Sequence, residues 1–422
     1  MAAGSGVRSA SRKRFLVCAV ALALAGCADD SDVAAVPEAP DYPPADGPGE
    51  VMQADEARAA AAIGDAIESG LTRLAESRKV RKPGTFARKR PFVRDAHPKA
   101  HGCVKANFRV LSDLPGDLAK GVFVPGRRYC AWVRFSNSNE DPDRADTEKD
   151  GRGMAIKLLG VTGETLLQEH KNAGTQDFIM ISHPVFFIDD ALDYVTVVRE
   201  QNKEGGPSLL NLFAAIGLKG SMNAAAITGL HNRNPFEAEY WSMVPYQLGV
   251  GGGAKAIKFK SQPCGYDRLS ESEKKFYREP DIPEDASPNF LRAALRTTLQ
   301  AGSPCMEFLI QVRTESMDVE DAKTEWSPSE APFRRVATLR FPAGQAFDTM
   351  EQNLACEDMA FTPWHALPEH KPLGALNRIR KVVYRRISAF RRNNNEAPRE
   401  EPPSFHRDQC VEGRWRTEGA SR

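Results

Sequence analysis

Neither sign of charge dominates this chain of 422 residues: 57 basic residues meet 56 acidic ones, for a net charge of +1. That balance removes the whole-chain electrostatic case for nucleic-acid binding. Beyond the amino terminus there is no unbroken apolar run of roughly 18 residues, so no transmembrane helix is expected later in the chain. No C-x-x-C pair occurs, which argues against structural zinc and against a thioredoxin-type dithiol. A G-x-S-x-G elbow is also missing, so Ser182, His183 and Asp177 do not read as a hydrolase set. The glycine-rich stretch from Gly249 to Lys255 lacks phosphate-loop spacing and reads as a turn between strands. No internal repeat is visible.

What is present begins with an export signal. Arg8, Arg12, Lys13 and Arg14 precede the apolar run Phe15 to Ala25, which ends in L-A-G-C at Leu24 to Cys27. A basic region, a short apolar run and small residues make a secretory signal. Its ending resembles a bacterial lipobox, which implies cleavage before Cys27, a lipid anchor on that thiol and a place in the cell envelope. Ala28 follows the cut, which leans toward the outer membrane, facing the periplasm. Six later cysteines, Cys103, Cys130, Cys264, Cys305, Cys356 and Cys410, are free to pair there. Six allow 15 full pairings, and spacing does not choose among them.

The chain divides into a leader at 1–27, a Pro- and Asp-rich tether at 28–52 and a helical arm at 53–82. A main domain at 83–395 and a polar tail at 396–422 follow, with Cys410 and Trp415 as groups that would dock the tail. The basic stretch Arg78 to Arg94 reads as a solvated arm. Strands are expected at Val104–Leu111, Tyr129–Phe135, Met154–Leu159, Phe178–Ile181, Ala254–Lys260, Met306–Thr314 and Val336–Phe341. Helices are expected at Asp190–Glu200, Ser208–Leu230 and Asn289–Gln300. Strands first and helices later point to an α+β fold with an antiparallel sheet or barrel.

One more helix is expected at 372–392, where Leu376, Ile379, Val383 and Ile387 recur at helical spacing. Arg380, Tyr384 and Arg391 fall on one face of it, bracketing a phenol with two guanidinium groups. A nearby arginine favours phenolate, and tyrosinate is one of the few protein ligands of haem iron. Upstream lie R-D-A-H-P-K-A-H-G from Arg94 and R-F-S-N-S-N from Arg134. Then come D-G-R-G-M-A-I-K from Asp150, P-V-F-F-I-D-D from Pro184, F-L-I-Q-V from Phe308 and A-F-T-P from Ala360. Taken in order, these blocks resemble the haem catalase superfamily over roughly residues 85 to 392. The chain is most similar to its shorter bacterial catalase-like, peroxidase-related members.

The resemblance implies an antiparallel β-barrel with peripheral and C-terminal helices around haem b. It implies Tyr384 as the iron ligand, with Arg380 keeping it ionised. Arg94, Arg134 and Arg391 would hold propionates, and Phe187 and Tyr194 would pack on the ring. His97 would be the distal base and Ser136 its orienting partner, with His101 a second candidate. Zinc at His97 and His101 is disfavoured, since Pro98 breaks a helix there and an extended chain sets the pair about 13 Å apart.

The implied activity is reduction of hydrogen peroxide or organic hydroperoxides, with no nucleic-acid partner and with room for a homo-oligomer. Two departures qualify it. Ile181-Ser182-His183 stands where catalases carry an asparagine, and Ala96 replaces a valine beside the distal histidine. Both keep open a haem sensor or carrier, or an enzyme that rearranges fatty-acid hydroperoxides.

Overall fold

Runs of β-branched and aromatic residues form two antiparallel meanders, one from each half of the chain, in a computed structural model that describes residues 37–79, 89–278, 282–283, 285–398 and 410–415. The first meander is β1 (Ala100–Val110), β2 (Arg128–Asn137), β3 (Arg152–Leu159) and β4 (Thr175–Ile181). The second is β5 (Tyr240–Trp241), β6 (Tyr246–Leu248), β7 (Lys255–Pro263), β8 (Cys305–Val312) and β9 (Arg334–Arg340). β1 pairs with β9, and β5 bridges β4 to β7 through Ile181↔Trp241 and Tyr240↔Ser261. The result is a closed ring of eight strands, with β6 appended to the same edge of β7 as β5. Closure removes the unpaired edges that an open sheet would expose.

Alternation fills the ring. Val104, Ala106, Phe108 and Val110 of β1 point inward together with Phe178, Phe259 and Phe308. The Phe178 ring lies 4.8 Å from Phe308, 5.1 Å from Phe259 and 6.3 Å from Phe108, centroid to centroid. Each such side chain contributes about 1.5–3 kcal/mol by burial. The lumen is therefore a packed aromatic core, and a ligand must bind outside it.

Seven helices surround the barrel among the described residues: α1 (Glu56–Lys79), α2 (Ala191–Gln201), α3 (Leu209–Thr228), α4 (Glu271–Arg278), α5 (Phe290–Ala301), α6 (Met350–Asp358) and α7 (Ala375–Asn394). Asp190 caps α2 by accepting from the Leu192 and Asp193 amides, and Thr349 caps α6 through the Gln352 amide. α1, α2 and α7 share one apolar cluster containing Ile63, Ile67, Val195, Val198, Ile379 and Val383. α7 starts at Gly374, whose φ of 87° and 2.9 Å approach of a would-be Cβ to the Val319 carbonyl admit only glycine.

Several expectations are corrected. The leader and Cys27 lie outside the described residues, but the described part of the tether is packed. Ala39 joins the helical cluster, and Tyr42 Oη donates to Glu56 at 2.8 Å. The cause is Arg378, fully buried, which donates to Glu50 (2.5 Å), Glu56 (2.7 Å) and Glu320 (3.2 Å). One guanidinium thus gathers three carboxylates, two of them from the amino-terminal arm. Arg90 and Phe92, read as part of a solvated arm, are engaged. Arg90 pairs with Asp358 at 2.6 Å, and Phe92 stands edge-on to Phe390 at 5.5 Å.

The tail is docked by the two groups singled out for it. Cys410 is disulfide-bonded to Cys130, and Trp415 lies 5.1 Å from the Trp132 ring, on the short hairpin β10 (Cys410–Val411) and β11 (Arg414–Trp415). The other disulfides are Cys103–Cys356 and Cys264–Cys305. The sequence-expected strands and helices all form, while α4, α6 and the short strands β5, β6, β10 and β11 are additions. α3 departs from expectation in a further way: it is long and apolar enough to span a membrane, because single polar residues interrupt its apolar runs without making it polar.

Replacing Arg378 with Met strands Glu50, Glu56 and Glu320 without their cation. The expected loss is about 3–5 kcal/mol of unfolding free energy in denaturant titration, with earlier proteolysis of residues 37–55.

Candidate functional site

A cavity of about 830 Å³ lies between the outer wall of β2–β4 and the helices α1, α2 and α7. The segments 94–97, 167–170 and 360–365 contribute the rest of its walls, with Asp41. Arg94, His97, Arg134, Ser136, Tyr194, Tyr384 and Arg391 all line it. So seven of the nine sequence-predicted site residues meet in one chamber. Arg380 sits behind Tyr384 rather than on the wall. Phe187 is not on the wall: it packs on Phe186 at 4.3 Å, near Ile227 and Met243.

His97 is held by backbone geometry and by two acceptors. Its φ is 61°, unusual for a residue with a side chain. Nδ1 lies 2.8 Å from the Asn137 carbonyl and 3.1 Å from Ser136 Oγ. A carbonyl only accepts, so Nδ1 carries the proton and Nε2 keeps the lone pair. Burial first, then Arg134 and other arginines, push the imidazole down to about 4. The ring is therefore a neutral base at pH 7. Register explains its seat: Ser136 of β2 faces Gly153 of β3. A Cβ on Gly153 would stand 2.5 Å from His97 Nδ1 and 2.6 Å from Ser136 Oγ. A glycine inside a strand is the sequence signal of such close approach, and it lies within the D-G-R-G block.

Asn137 links this side to the second histidine. Its Oδ1 accepts from Arg152 at 2.5 Å and lies 2.7 Å from His101 Nε2, while its Nδ2 donates to Asp146 at 3.1 Å. His101 is fully buried in β1, is pushed down to about 3 by burial, and is absent from the cavity wall. Its place is behind the wall that holds His97.

Three guanidinium groups gather around one carboxylate at the far end of α7. Glu357 bonds Arg94 Nη1 at 2.5 Å and also Arg391 Nη2. Arg391 thus turns to Glu357 instead of bracketing Tyr384. Arg134 Nη2 donates to the His97 carbonyl at 2.7 Å. Glu357 is held below its usual range by the arginines, against the cost of its burial. Arg391 is lowered to about 10 by burial, with Glu357 opposing. The Nε atoms of Arg134 and Arg391 are buried and have no partner. Buried donors of this kind await an acceptor. Net positive charge and orphan donors on a cavity wall fit an anionic ligand such as the paired carboxylates of haem.

On α7, one turn before the phenol, Arg380 Nη2 donates to Tyr384 Oη at 3.2 Å, and its guanidinium lies 5.1 Å from the ring. Burial pulls Arg380 down, but the Tyr384, Tyr246 and Tyr194 phenols win and hold it firmly charged. Tyr194 of α2 is driven up by burial and by its neighbours Tyr384 and Asp95, so it stays a neutral phenol. The wall therefore offers a phenol with a permanent cation at its oxygen, one of the donor types that can hold a haem iron.

Other groups were not anticipated. Asp95, two residues before His97, lines the cavity and is raised to about 6 by burial. A buried chain of bonds reaches the wall at His365 and His170: Lys157 to Asp177 at 2.8 Å, Asp177 to His365 at 3.0 Å, and His365 to His170 at 2.8 Å. Of its members only Lys157, the last residue of the D-G-R-G-M-A-I-K block, lay within the quoted blocks. Ser182 is occupied elsewhere, its Oγ accepting from the Arg152 amide at 2.8 Å, and it does not line the cavity. Ala96 does line it.

Comparison with known proteins agrees with the barrel. The family model described as Catalase matches residues 51–211. Catalase A of Pseudomonas putida is 28% identical over 133 residues, 31% of this chain and 25% of that protein. Catalase T of Saccharomyces cerevisiae is 24% identical over 311 residues, 68% of this chain and 51% of that protein. Among solved structures, a fungal catalase superposes with a TM-score of 0.53 at 20% identity, covering 76% of this chain and 61% of its own. A bacterial catalase gives 0.53 at 17% identity, covering 76% of this chain and 60% of its own. The fold is thus the catalase-type antiparallel barrel, α+β in class, and the chain is catalase-like in sequence and architecture. It spans about a quarter to a half of the length of these two sequence relatives.

Gly153→Ala tests the seat of His97. The added methyl displaces the imidazole from its buried acceptors, so its titration in NMR moves from about 4 toward the ordinary histidine value.

Proposed function

We propose that the protein is a haem-dependent, catalase-like peroxidase that reduces hydrogen peroxide or organic hydroperoxides, with Tyr384 as the ligand to iron. The observation that carries this reading is one cavity with a neutral, oriented histidine and an arginine-backed tyrosine on its walls, and orphan guanidinium donors between. When bound, haem iron supplies the redox centre for reduction of the peroxide bond. The chain supplies the rest. Tyr384 offers its oxygen with Arg380 compensating negative charge there. Arg94, Arg134 and Arg391 hold the propionates, and Tyr194 packs beside the ring. His97 Nε2 takes the hydroperoxide proton and returns it to the departing oxygen, while Ser136 and the Asn137 carbonyl keep the ring in one tautomer.

A second reading has a specific observation behind it. Ser182 is tied to backbone and Ala96 faces the cavity, which leaves the distal wall without a second polar group at the asparagine position and with added room. That favours larger hydroperoxides over rapid dismutation of hydrogen peroxide, and extends to rearrangement of fatty-acid hydroperoxides. A haem carrier with no turnover is the limiting case. The expected setting is the cell envelope, through a lipid on Cys27.

Purified protein should show a ferric haem Soret band that is lost in Tyr384→Phe. Absence of the band in the parent protein sinks the scheme. His97→Ala should keep the band and lose about 10²–10⁴-fold in hydroperoxide consumption. Unchanged consumption would make the protein a carrier or move the base elsewhere. Comparing hydrogen peroxide with a lipid hydroperoxide decides substrate class.

The pH profile follows from His97 and Asp95. His97 must be unprotonated, so activity should persist as pH falls through 6.5 and fail only near 4. Asp95 adds a second inflection near 6 as it ionises, and Asp95→Asn should remove that inflection while leaving the acid limb.

A further inference from the structure

We propose that α3 is a membrane-docking helix that lies in the surface of a lipid bilayer. Leu209, Leu210, Phe213, Leu218 and Met222 are 80%, 76%, 51%, 69% and 65% exposed. They are five of the eleven large apolar side chains that face outward among the described residues. Scattered singly such residues are ordinary, but five on one helix, three before Gly217 and two after it, are a concentration that water does not favour.

The helix is held in this posture. Its cap Ser208 accepts from the Asn211 amide. Asn223 Nδ2 donates to the carbonyls of Phe186 (2.9 Å) and Lys323 (3.0 Å). Lys219, the one charge within it, reaches Thr324 Oγ1 and faces Asp321. So the apolar side chains are presented outward by bonds to the body of the protein.

The backbone says how a bilayer would be met. Gly217 is at φ 65°, ψ −174°, and splits α3 into two half-helices. Inside the hydrocarbon, peptide groups freed at such a break find no partner. At the interface water supplies one. The break and the Lys219 tie therefore suit a helix lying in the plane of the interface, not one crossing it.

The choice of bilayer over a second copy of the chain rests on where the described chain begins. Ala39 packs in the same cluster as Ala191, Val195 and Val198 of α2, the helix that leads into α3. α2 has 11 residues, a length of about 16 Å. Only ten residue steps lead from Cys27 to Pro37, a reach of at most about 33–36 Å. An acyl anchor at Cys27 would hold α3 within reach of the lipid surface. That support rests on the lipobox reading, whereas the following test does not, nor does it depend on haem.

The chain from Ala28 onward, made oxidised and without acylation, is mixed with vesicles of phosphatidylethanolamine and phosphatidylglycerol and floated on a density gradient. The parent protein should float. Leu209→Asp with Phe213→Asp should lower the bound fraction by at least about tenfold. Val124→Asp, at an outward apolar residue elsewhere (50% exposed), should leave it unchanged. A milder pair, Leu218→Asn with Met222→Gln, reports the same loss if the aspartate pair misfolds by circular dichroism. A parent protein that fails to float overturns the proposal, as does equal loss in the Val124 variant. Sedimentation as a dimer that the α3 substitutions dissociate, without flotation, assigns the face to a second copy instead.

Discussion

The carboxylate of Glu357 is the contact on which the site most depends. It binds Arg94, three residues before His97, and Arg391, two turns after Tyr384 on α7. The two walls of the cavity come from chain segments almost three hundred residues apart, and this buried ion cluster ties them. Such a cluster gives little net stability, because desolvation offsets attraction, but it fixes geometry. With three guanidinium groups around one carboxylate, the cluster is left positive and with orphan donors, which is a structural cost to the chain alone and an affinity for an anionic ligand. The same logic recurs at Arg378, with the signs exchanged: one cation among three carboxylates fastens the amino-terminal arm to the first turn of α7.

The barrel contributes rigidity rather than a binding chamber. Its lumen is filled by phenylalanine, so ligand space lies on the outer wall, under α1, α2 and α7. There the register of β2 against β3 matters more than any single side chain. Ser136 opposite Gly153 leaves room for the imidazole, and the next residue along β2, Asn137, turns its carbonyl to His97 and its side-chain amide to His101. The histidine is neutral because of this burial and the surrounding arginines, which is why an ordinary side chain becomes a base usable well below its usual range.

Much of this was legible in the sequence, and for identifiable reasons. Period-two and helical spacing gave the longer strands and helices, including α7 with Arg380 one turn before Tyr384. Ordered blocks around Arg94, Arg134, Asp150 and Ala360 carried part of the cavity wall, and the family resemblance gave their residues roles. What was not legible depended on contacts distant in sequence. The two-residue strand β5 that closes the ring carries no periodicity. The tether looked unstructured because the groups that order Glu50, namely Arg378, Lys371 and the Gly374 amide, lie more than three hundred residues away. Phe187 followed the motif but points to a different neighbour from the one expected. Glu357 had no local mark at all, and neither did the pairing of cysteines, since spacing alone leaves 15 arrangements open.

That last point bears on Glu357 itself. Its neighbour Cys356 is bonded to Cys103 on β1 across 253 residues of chain, and this is what pins α6 to the barrel. The cationic pocket is thus finished by a covalent step as well as by folding. The bond adds to non-covalent restraints on the same helix, among them Gln352 Nε2 donating to the Cys103 carbonyl at 3.0 Å and the Glu357 ion pairs. The anionic-ligand end of the cavity is in this way braced by a covalent link one residue away from its central carboxylate.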